Sequence, residues 1–245
     1  MITAVSFLTV VSSRLDTHIP QESIELPIYN SVLLVANKTI GGCPDDTGGS
    51  CDLSIEDFIL EETTASGMAV RTVEDKTYIL TADHFCQNFS EEVIPGINKS
   101  MWAIDIHGNM WRAEVVYQHP DPDLCLIESD MQEVTHIEIA DEDPQVGEEV
   151  YAIASPRGIG GKNISLHFEG KFSGCDIGGN CFFTIPSTFG SSGGIILNRE
   201  NEMVGMIQMK PANFDSVSIG TRRENIIYFL LGFREKTGIN LLSSE

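Results

Sequence analysis

Short apolar runs separated by polar turns dominate the chain. They form a first group at 31–35, 67–72, 77–80, 101–106 and 110–117, and a second at 149–154, 164–171, 181–185, 193–197 and 204–209. Short segments at this close spacing predict the β-strands of a sandwich or barrel. Only the stretch from Arg222 to Lys236 looks helical, because its apolar residues fall on one broad face. The pattern therefore predicts an all-β protein of two β-barrels followed by a C-terminal helix.

The two groups of strands set the expected domain organisation. At 245 residues the chain is long enough for one large domain or two small ones. An acidic, glycine-containing insertion at 41–65 is predicted to be a surface loop. The expected division is an N-terminal arm or signal remnant at 1–26, a first barrel at 27–130, a linker at 131–146, a second barrel at 147–221, and a helix and tail at 222–245.

The net charge of the chain limits which partners it is expected to bind. The chain has 15 Lys and Arg residues against 36 Asp and Glu residues, a formal net charge of −21. Such a surface repels a nucleic-acid backbone, so no nucleic-acid partner is expected. The apolar run at 4–11 is far shorter than the roughly 20 residues that span a bilayer, so no stable membrane span is expected.

Two pairs of cysteines bracket short loops. Cys43 and Cys51 enclose one loop, and Cys175 and Cys181 enclose another, so each pair is a candidate disulfide. Disulfides form in oxidising compartments, which favours an extracytoplasmic location, periplasmic or secreted. A virus-associated or intracellular location stays open as the alternative.

The other two cysteines, Cys86 and Cys125, lie in apolar, strand-like surroundings. This context predicts buried thiols. The six cysteines show no C-x-x-C spacing, which argues against a zinc site.

The candidate nucleophile is Ser192, in the glycine-rich turn Thr188-Phe189-Gly190-Ser191-Ser192-Gly193-Gly194. Small neighbours let a carbonyl approach, and backbone N–H groups of such a turn can converge on an oxyanion. All six histidines precede this serine, which excludes the chain order of α/β-hydrolases. The turn leads into a predicted hairpin instead of a helix, which excludes the subtilisin order.

Two further segments supply a base and an acid. Thr77-Tyr78-Ile79-Leu80-Thr81-Ala82-Asp83-His84 ends an apolar strand on a histidine, and Asp123 stands where a polar loop enters a buried strand. In a triad, the histidine accepts the serine proton and the carboxylate orients the imidazole. Asp121 stays open as an alternative acid and Ser191 as an alternative nucleophile, whereas His119 is predicted to be a surface residue.

Together these segments resemble the trypsin-like serine proteases, and most closely the HtrA-like protease domain. Ile79-Leu80-Thr81-Ala82-Asp83-His84 resembles the Ile-Leu-Thr-x-x-His signature of that family. Asp123-Leu124-Cys125-Leu126-Ile127 is similar to its Asp-Leu-Ala-Val-Leu strand, and Gly190-Ser191-Ser192-Gly193-Gly194 to its Gly-Asn/Asp-Ser-Gly-Gly turn. The sequence ends soon after the predicted helix, so a PDZ module is not expected.

The resemblance implies a role for each matching residue. His84 is the expected general base, Asp123 its orienting carboxylate and Ser192 the nucleophile, with an oxyanion hole formed by the N–H groups of Gly190 and Ser192. No metal or organic cofactor is implied. The positions expected to form the substrate pocket are Pro186, Ser187, Ile207, Gln208 and Met209. No acidic residue stands at the expected base of the pocket, so a small or medium apolar side chain is expected before the scissile bond.

Two positions depart from the family pattern. Ser191 replaces the aspartate that digestive proteases use on activation, and Gln208 replaces a Ser or Thr near the triad carboxylate. The predicted function is a serine endopeptidase that cleaves polypeptides through an acyl-enzyme. The alternative is a latent or vestigial protease fold that serves as a binding or structural protein, for example on a virion.

Overall fold

The computed structural model describes residues 27–40, 58–90, 97–132 and 134–242. Cys43 and Cys51 therefore lie outside the described residues. The first six strands are β1 (Ser31–Ile40), β2 (Phe58–Val73), β3 (Lys76–Thr81), β4 (Ile97–Ile104), β5 (Met110–His119) and β6 (Leu124–Ser129). The next six are β7 (Glu149–Ala154), β8 (Leu166–Cys175), β9 (Asn180–Phe183), β10 (Ile195–Leu197), β11 (Met203–Met209) and β12 (Ser218–Arg222). The α-helices are α1 (Asp83–Ser90) and α2 (Arg223–Thr237), and single 3-10 turns cover Ile28–Asn30 and Pro156–Gly158.

These strands form two closed antiparallel barrels. The strand order is β1-β2-β3-β6-β5-β4 in the first barrel and β10-β11-β12-β9-β8-β7 in the second. Each barrel encloses its own apolar core, with Leu34, Ile79 and Ile127 fully buried in one and Ile185 and Ile196 in the other. Alternation along each strand sends these side chains inward. The predicted all-β double barrel with a C-terminal helix is confirmed.

Strand β2 corrects one expectation from the sequence. Its part from Phe58 to Ala65 was predicted to belong to a surface loop, but it pairs with β1 along Val35↔Thr64 and Ile40↔Phe58. The prediction failed because the segment contains two consecutive glutamates and two threonines, which hide the period of a strand. Backbone hydrogen bonds to β1 nevertheless satisfy this polar segment.

Helix α1 corrects a second expectation, since the sequence indicated only a C-terminal helix. Residues Asp83–Ser90 form this helix one residue after the end of β3, so His84 lies in a first helical turn and not at a strand end. A helix of two turns is too short to show the apolar period on which sequence interpretation depends. The short strand β12 was not predicted either, because its sequence Ser-Ile-Gly-Thr-Arg contains only one large apolar residue.

Helix α2 packs on the first barrel as well as on the second, which it follows. The Phe229 ring lies 4.9 Å from that of Tyr117, and the Phe233 ring 5.5 Å from that of Tyr78. A continuous apolar cluster thereby spans both barrels and the helix, and it fixes the interface at which the candidate site lies. Neither helix in the described part of the chain is long and apolar enough to cross a bilayer.

Candidate active site

His84 and Asp123 meet at the edge of the first barrel. The Nδ1 atom of His84 lies 2.9 Å from one carboxylate oxygen of Asp123, and the backbone N–H of His84 donates to the other oxygen at 2.8 Å. This double contact orients the ring, because an N–H at Nδ1 leaves Nε2 with a free lone pair. The His84 side chain is 48% exposed, so that nitrogen is accessible from the cleft.

Asp123 raises the pKa of His84 above its ordinary value of 6.5, chiefly through the hydrogen bond to the ring. Partial burial of the imidazole opposes this effect, and the negative charges of Asp123 and Asp83 add to it. The arrangement stabilises the protonated imidazole, which is what a base needs after it has accepted a proton.

A disulfide joins the segments that carry these two side chains. Cys86 and Cys125 are bonded, and both are fully buried in the core of the first barrel. The expectation of two buried thiols was therefore wrong. Each cysteine has apolar neighbours along the chain, but only the packing of α1 against β6 reveals that the two sulfurs meet. Cys175, the last residue of β8, and Cys181, in β9, form a second disulfide next to the turn that joins these strands.

Ser192 lies in a tight turn before β10. The Gly193 N–H donates to the carbonyl of Ile207 at 2.8 Å, and the Gly194 N–H to that of Ser191 at 2.9 Å. Gly193 has φ +86°, and a Cβ there would lie 2.0 Å from the carbonyl oxygen of Ser66, so only glycine fits. The Ser192 hydroxyl donates to the carbonyl of Gln208 at 3.0 Å, and no hydrogen bond joins it to His84.

Two amides of this turn, the N–H groups of Gly190 and Ser192, donate no hydrogen bond to any group in the described residues. Gly190 has φ +87°, and the carbonyl of the preceding Phe189 accepts from the N–H of Arg157 at 2.7 Å. Two unpaired donors that flank a serine hydroxyl are what a developing oxyanion requires.

Gln208 supports the acid in an unexpected way. Its side-chain amide donates to the carbonyl of Pro122, and it lies 3.2 Å from the carbonyl of Asp123. The register of β11 against β12 shifts between Ile207 and Met209, so Gln208 is the extra residue of a bulge. A bulge re-aims a side chain, which explains why this glutamine reaches the first barrel. Gln208 thus contacts the backbone of the loop that carries Asp123. In the family pattern, a Ser or Thr hydroxyl lies near the triad carboxylate instead.

A cleft of about 470 Å³ connects these groups. It is lined by His84, Ser187, Thr188, Phe189, Ser192, Ile207, Gln208, Met209 and Lys210. Pro186 does not line it and is exposed, although the sequence placed this residue in the pocket. Lys210 was missed, and its ammonium pairs with the carboxylate of Asp215. Its position directly after Met209 was the only available signal.

The alternative residues lie elsewhere. The Ser191 side chain is 1% exposed, and its hydroxyl accepts from the N–H of Thr188 at 3.1 Å within the turn. Asp121 and His119 are exposed and have no contact with the His84 ring. Within the described ranges, no three His, Cys, Asp or Glu side chains lie close enough together to bind a metal ion.

The sequence profile of the trypsin-like peptidase domain matches residues 65–206, more than half of the chain. The chain belongs to the trypsin-like peptidase family. The resemblance recognised in the sequence is thereby confirmed. A search of curated protein sequences finds no match to this trypsin-like peptidase.

Two solved structures have the same fold as this trypsin-like peptidase. The serine endoprotease of Yersinia pestis is 20% identical, with a TM-score of 0.57 over 83% of this chain and 63% of that one. An inactive serine-to-alanine mutant of Rv3671c from M. tuberculosis is 14% identical, with a TM-score of 0.55 over 84% of this chain and 89% of that one. This trypsin-like peptidase thus spans less than two thirds of the Yersinia chain.

Proposed function

We propose that this protein is a serine endopeptidase with Ser192 as nucleophile, His84 as general base and Asp123 as the carboxylate that orients the base. The observation that supports this most strongly is the convergence of the three parts on one cleft. His84, which is hydrogen-bonded to Asp123, and Ser192 both line it, and the amides of Gly190 and Ser192, which have no acceptor in the described residues, belong to the turn that borders it. Each part has a role in acyl transfer.

The first half of the reaction forms an acyl-enzyme. A rotation about the Cα–Cβ bond of Ser192 moves its hydroxyl from the Gln208 carbonyl toward Nε2 of His84. The serine proton passes to Nε2 while Oγ attacks the substrate carbonyl, and the N–H groups of Gly190 and Ser192 stabilise the oxyanion. The imidazolium then gives its proton to the departing amine, and the peptide C–N bond breaks.

The second half of the reaction regenerates the enzyme. Water enters the cleft, and His84 accepts its proton as the oxygen attacks the acyl carbon. Collapse of the second tetrahedral intermediate returns the proton to Oγ of Ser192 and releases the acid product. Asp123 stays ionised throughout and stabilises the imidazolium in both halves.

Polypeptides are the proposed substrates, bound as an added strand beside the end of β11. Ile207, Met209 and the exposed ring of Phe189 provide an apolar lining, which supports a small or medium apolar side chain before the cut. No carboxylate lines the cleft in the described residues, so it has no partner for a substrate Lys or Arg. The two disulfides support an extracytoplasmic location.

A proteolysis assay tests the proposal. Purified wild-type protein is expected to cleave casein or its own chain, and Ser192→Ala, with the nucleophile removed, is expected to cleave neither. Ser173→Ala, which removes an exposed hydroxyl on β8 of the same barrel, serves as the matched control and should retain cleavage. Equal cleavage by wild type and Ser192→Ala would show that the cleavage does not depend on Ser192 and would refute the proposal.

One observation favours a second candidate, a latent binding protein with the same fold. The hydroxyl of Ser192 is bonded to the Gln208 carbonyl and not to His84. A site that stays in this arrangement binds polypeptides in the cleft without cleaving them. Cleavage of casein by the wild type excludes this candidate.

A further inference from the structure

Ser66, at the centre of β2 in the first barrel, contacts the turn of the second barrel that carries the nucleophile. Its hydroxyl donates to the carbonyl of Gly190 at 2.7 Å and accepts from the N–H of Ser155 at 2.7 Å. Its backbone N–H donates to the carbonyl of Ser192 at 2.9 Å. The side chain is 1% exposed, so water does not compete for these bonds.

The peptide between Phe189 and Gly190 decides whether the oxyanion hole is open. A trans peptide is planar, and its C=O and N–H point in opposite directions. The Phe189 carbonyl accepts from the N–H of Arg157 and so lies against the turn that follows β7. The Gly190 N–H therefore points the other way, with no acceptor in the described residues. Reversal of this one peptide would replace a donor in the hole with an acceptor.

Ser66 fixes both sides of that contact. It bonds to Gly190 on the nucleophile turn, and it bonds to Ser155, which begins the turn that contains Arg157. The two turns are closely packed, since a Cβ on Gly190 would lie 2.8 Å from the backbone nitrogen of Arg157 and 3.0 Å from the carbonyl oxygen of Ser155. One buried hydroxyl thus sets the distance over which Arg157 can bond to the Phe189 carbonyl.

We infer that Ser66 is a positioning residue that keeps the Phe189–Gly190 peptide in the orientation that opens the oxyanion hole. This inference rests on the proposed function, because it assigns regulation of the same site. The first barrel thereby contributes to the oxyanion hole as well as the acid–base pair. In the nucleophile turn itself, Ser191 offers only a hydroxyl that bonds within the turn.

The experiment compares wild type, Ser66→Ala, Ser66→Thr and Ser129→Ala by their second-order rates of labelling with a fluorophosphonate. Ser129 is the matched control, a buried serine of the same barrel whose hydroxyl accepts from a backbone N–H far from the turn. Ser66→Ala should label about 10–100-fold more slowly, since the open orientation becomes a minor population. Ser66→Thr, which retains a hydroxyl, should recover most of the rate, and Ser129→Ala should match wild type.

A purely structural role for Ser66 gives a different pattern. On a peptide that the wild type cleaves, and at a temperature at which every variant is fully folded, the inference requires kcat to fall while KM changes little. If Ser66→Ala labels as fast as Ser129→Ala, or if its lower rate follows its unfolded fraction, the inference is wrong.

The inference and the proposed function can fail separately. If folded wild type takes no label, the proposed function fails, and crystal structures of wild type and Ser66→Ala decide the role of Ser66. A Phe189 carbonyl turned into the cleft only in the variant supports the inference, and an unchanged carbonyl overturns it.

Discussion

The two halves of the candidate site are fixed by different means. On the first barrel, His84 and Asp123 each lie two residues before a cysteine, and those cysteines, Cys86 and Cys125, form a buried disulfide. On the second barrel, the turn that carries Ser192 contains no cysteine. Hydrogen bonds and two left-handed glycines define its shape.

The geometry of the first half is therefore fixed by a covalent bond, whereas that of the second half depends on hydrogen bonds that can change. The acid–base pair lies on segments joined by a covalent bond, so changes there should affect chemistry or stability without moving the pair. In the proposed mechanism, the oxyanion hole depends on the orientation of one peptide next to Gly190, whose carbonyl side is held by the Arg157 N–H. Changes in the second half should therefore act by altering the population of the competent arrangement.

Asp123→Asn should disrupt the His84–Asp123 pair and have the largest effect on catalysis of the changes considered. The amide preserves the shape of the side chain but stabilises neither the imidazolium nor the required tautomer, so kcat should fall about 10⁴-fold. Peptide hydrolysis at pH 8 measures the loss. Asp121→Asn, an exposed neighbour on the same loop, should behave as wild type; an equal loss in this control would indicate that the wrong acid has been assigned.

Gly190→Ala should disrupt the turn that carries Ser192 and lower kcat about 10²–10³-fold. This is the usual effect of the loss of one oxyanion donor. The added methyl would meet the Arg157 nitrogen at 2.8 Å and displace the peptide. Gly147→Ala is a matched control, since Gly147 has φ +92° and open space around the new methyl. A loss of the same size in the control would point to backbone strain alone.

Removal of the Cys86–Cys125 disulfide should reduce stability more than turnover. The loop-closure relation gives about 4 kcal/mol for this bond and about 2 kcal/mol for Cys175–Cys181, because the sequence separations are 39 and 6. We expect melting temperatures lowered by roughly 8–16 °C and 4–8 °C in the two double-alanine variants. Folded protein should still take the fluorophosphonate label. Loss of labelling in the Cys86–Cys125 variant well below its melting temperature would mean that the folded barrel cannot hold the pair in place without this bond.

The pH profile should show the smallest effect. His84 must be neutral to accept a proton, so kcat/KM should rise with pH through the pKa of this residue. The hydrogen bond to Asp123 raises that pKa above 6.5, which places the midpoint of the rise at higher pH than for a free histidine. In Asp123→Asn the midpoint should move to lower pH, and an unchanged midpoint would show that another group controls the rise.

The sequence predicted the parts of the site that have a strong local signature. A serine in a glycine-rich turn before an apolar strand, a histidine after an apolar run and an aspartate before one can each be read within ten residues. The double barrel was predictable for the same reason, since each short strand has its own pattern.

The features that the sequence did not predict depend mostly on contacts between distant segments. Nothing near Cys86 or Cys125 indicates that they meet, and Gln208 reaches Asp123 only because of a bulge in β11. The role inferred for Ser66 depends on the docking of one barrel on the other. Helix α1 was not predicted for a different reason: two helical turns are too few to show the apolar period of a helix.

Intact-mass labelling with a fluorophosphonate tests the central claim most directly, because it requires the nucleophile, the base and the oxyanion hole together and no knowledge of the substrate. The account predicts a single adduct on wild type and none on Ser192→Ala. It is contradicted by folded wild-type protein that takes no label, or by an adduct that remains in the variant.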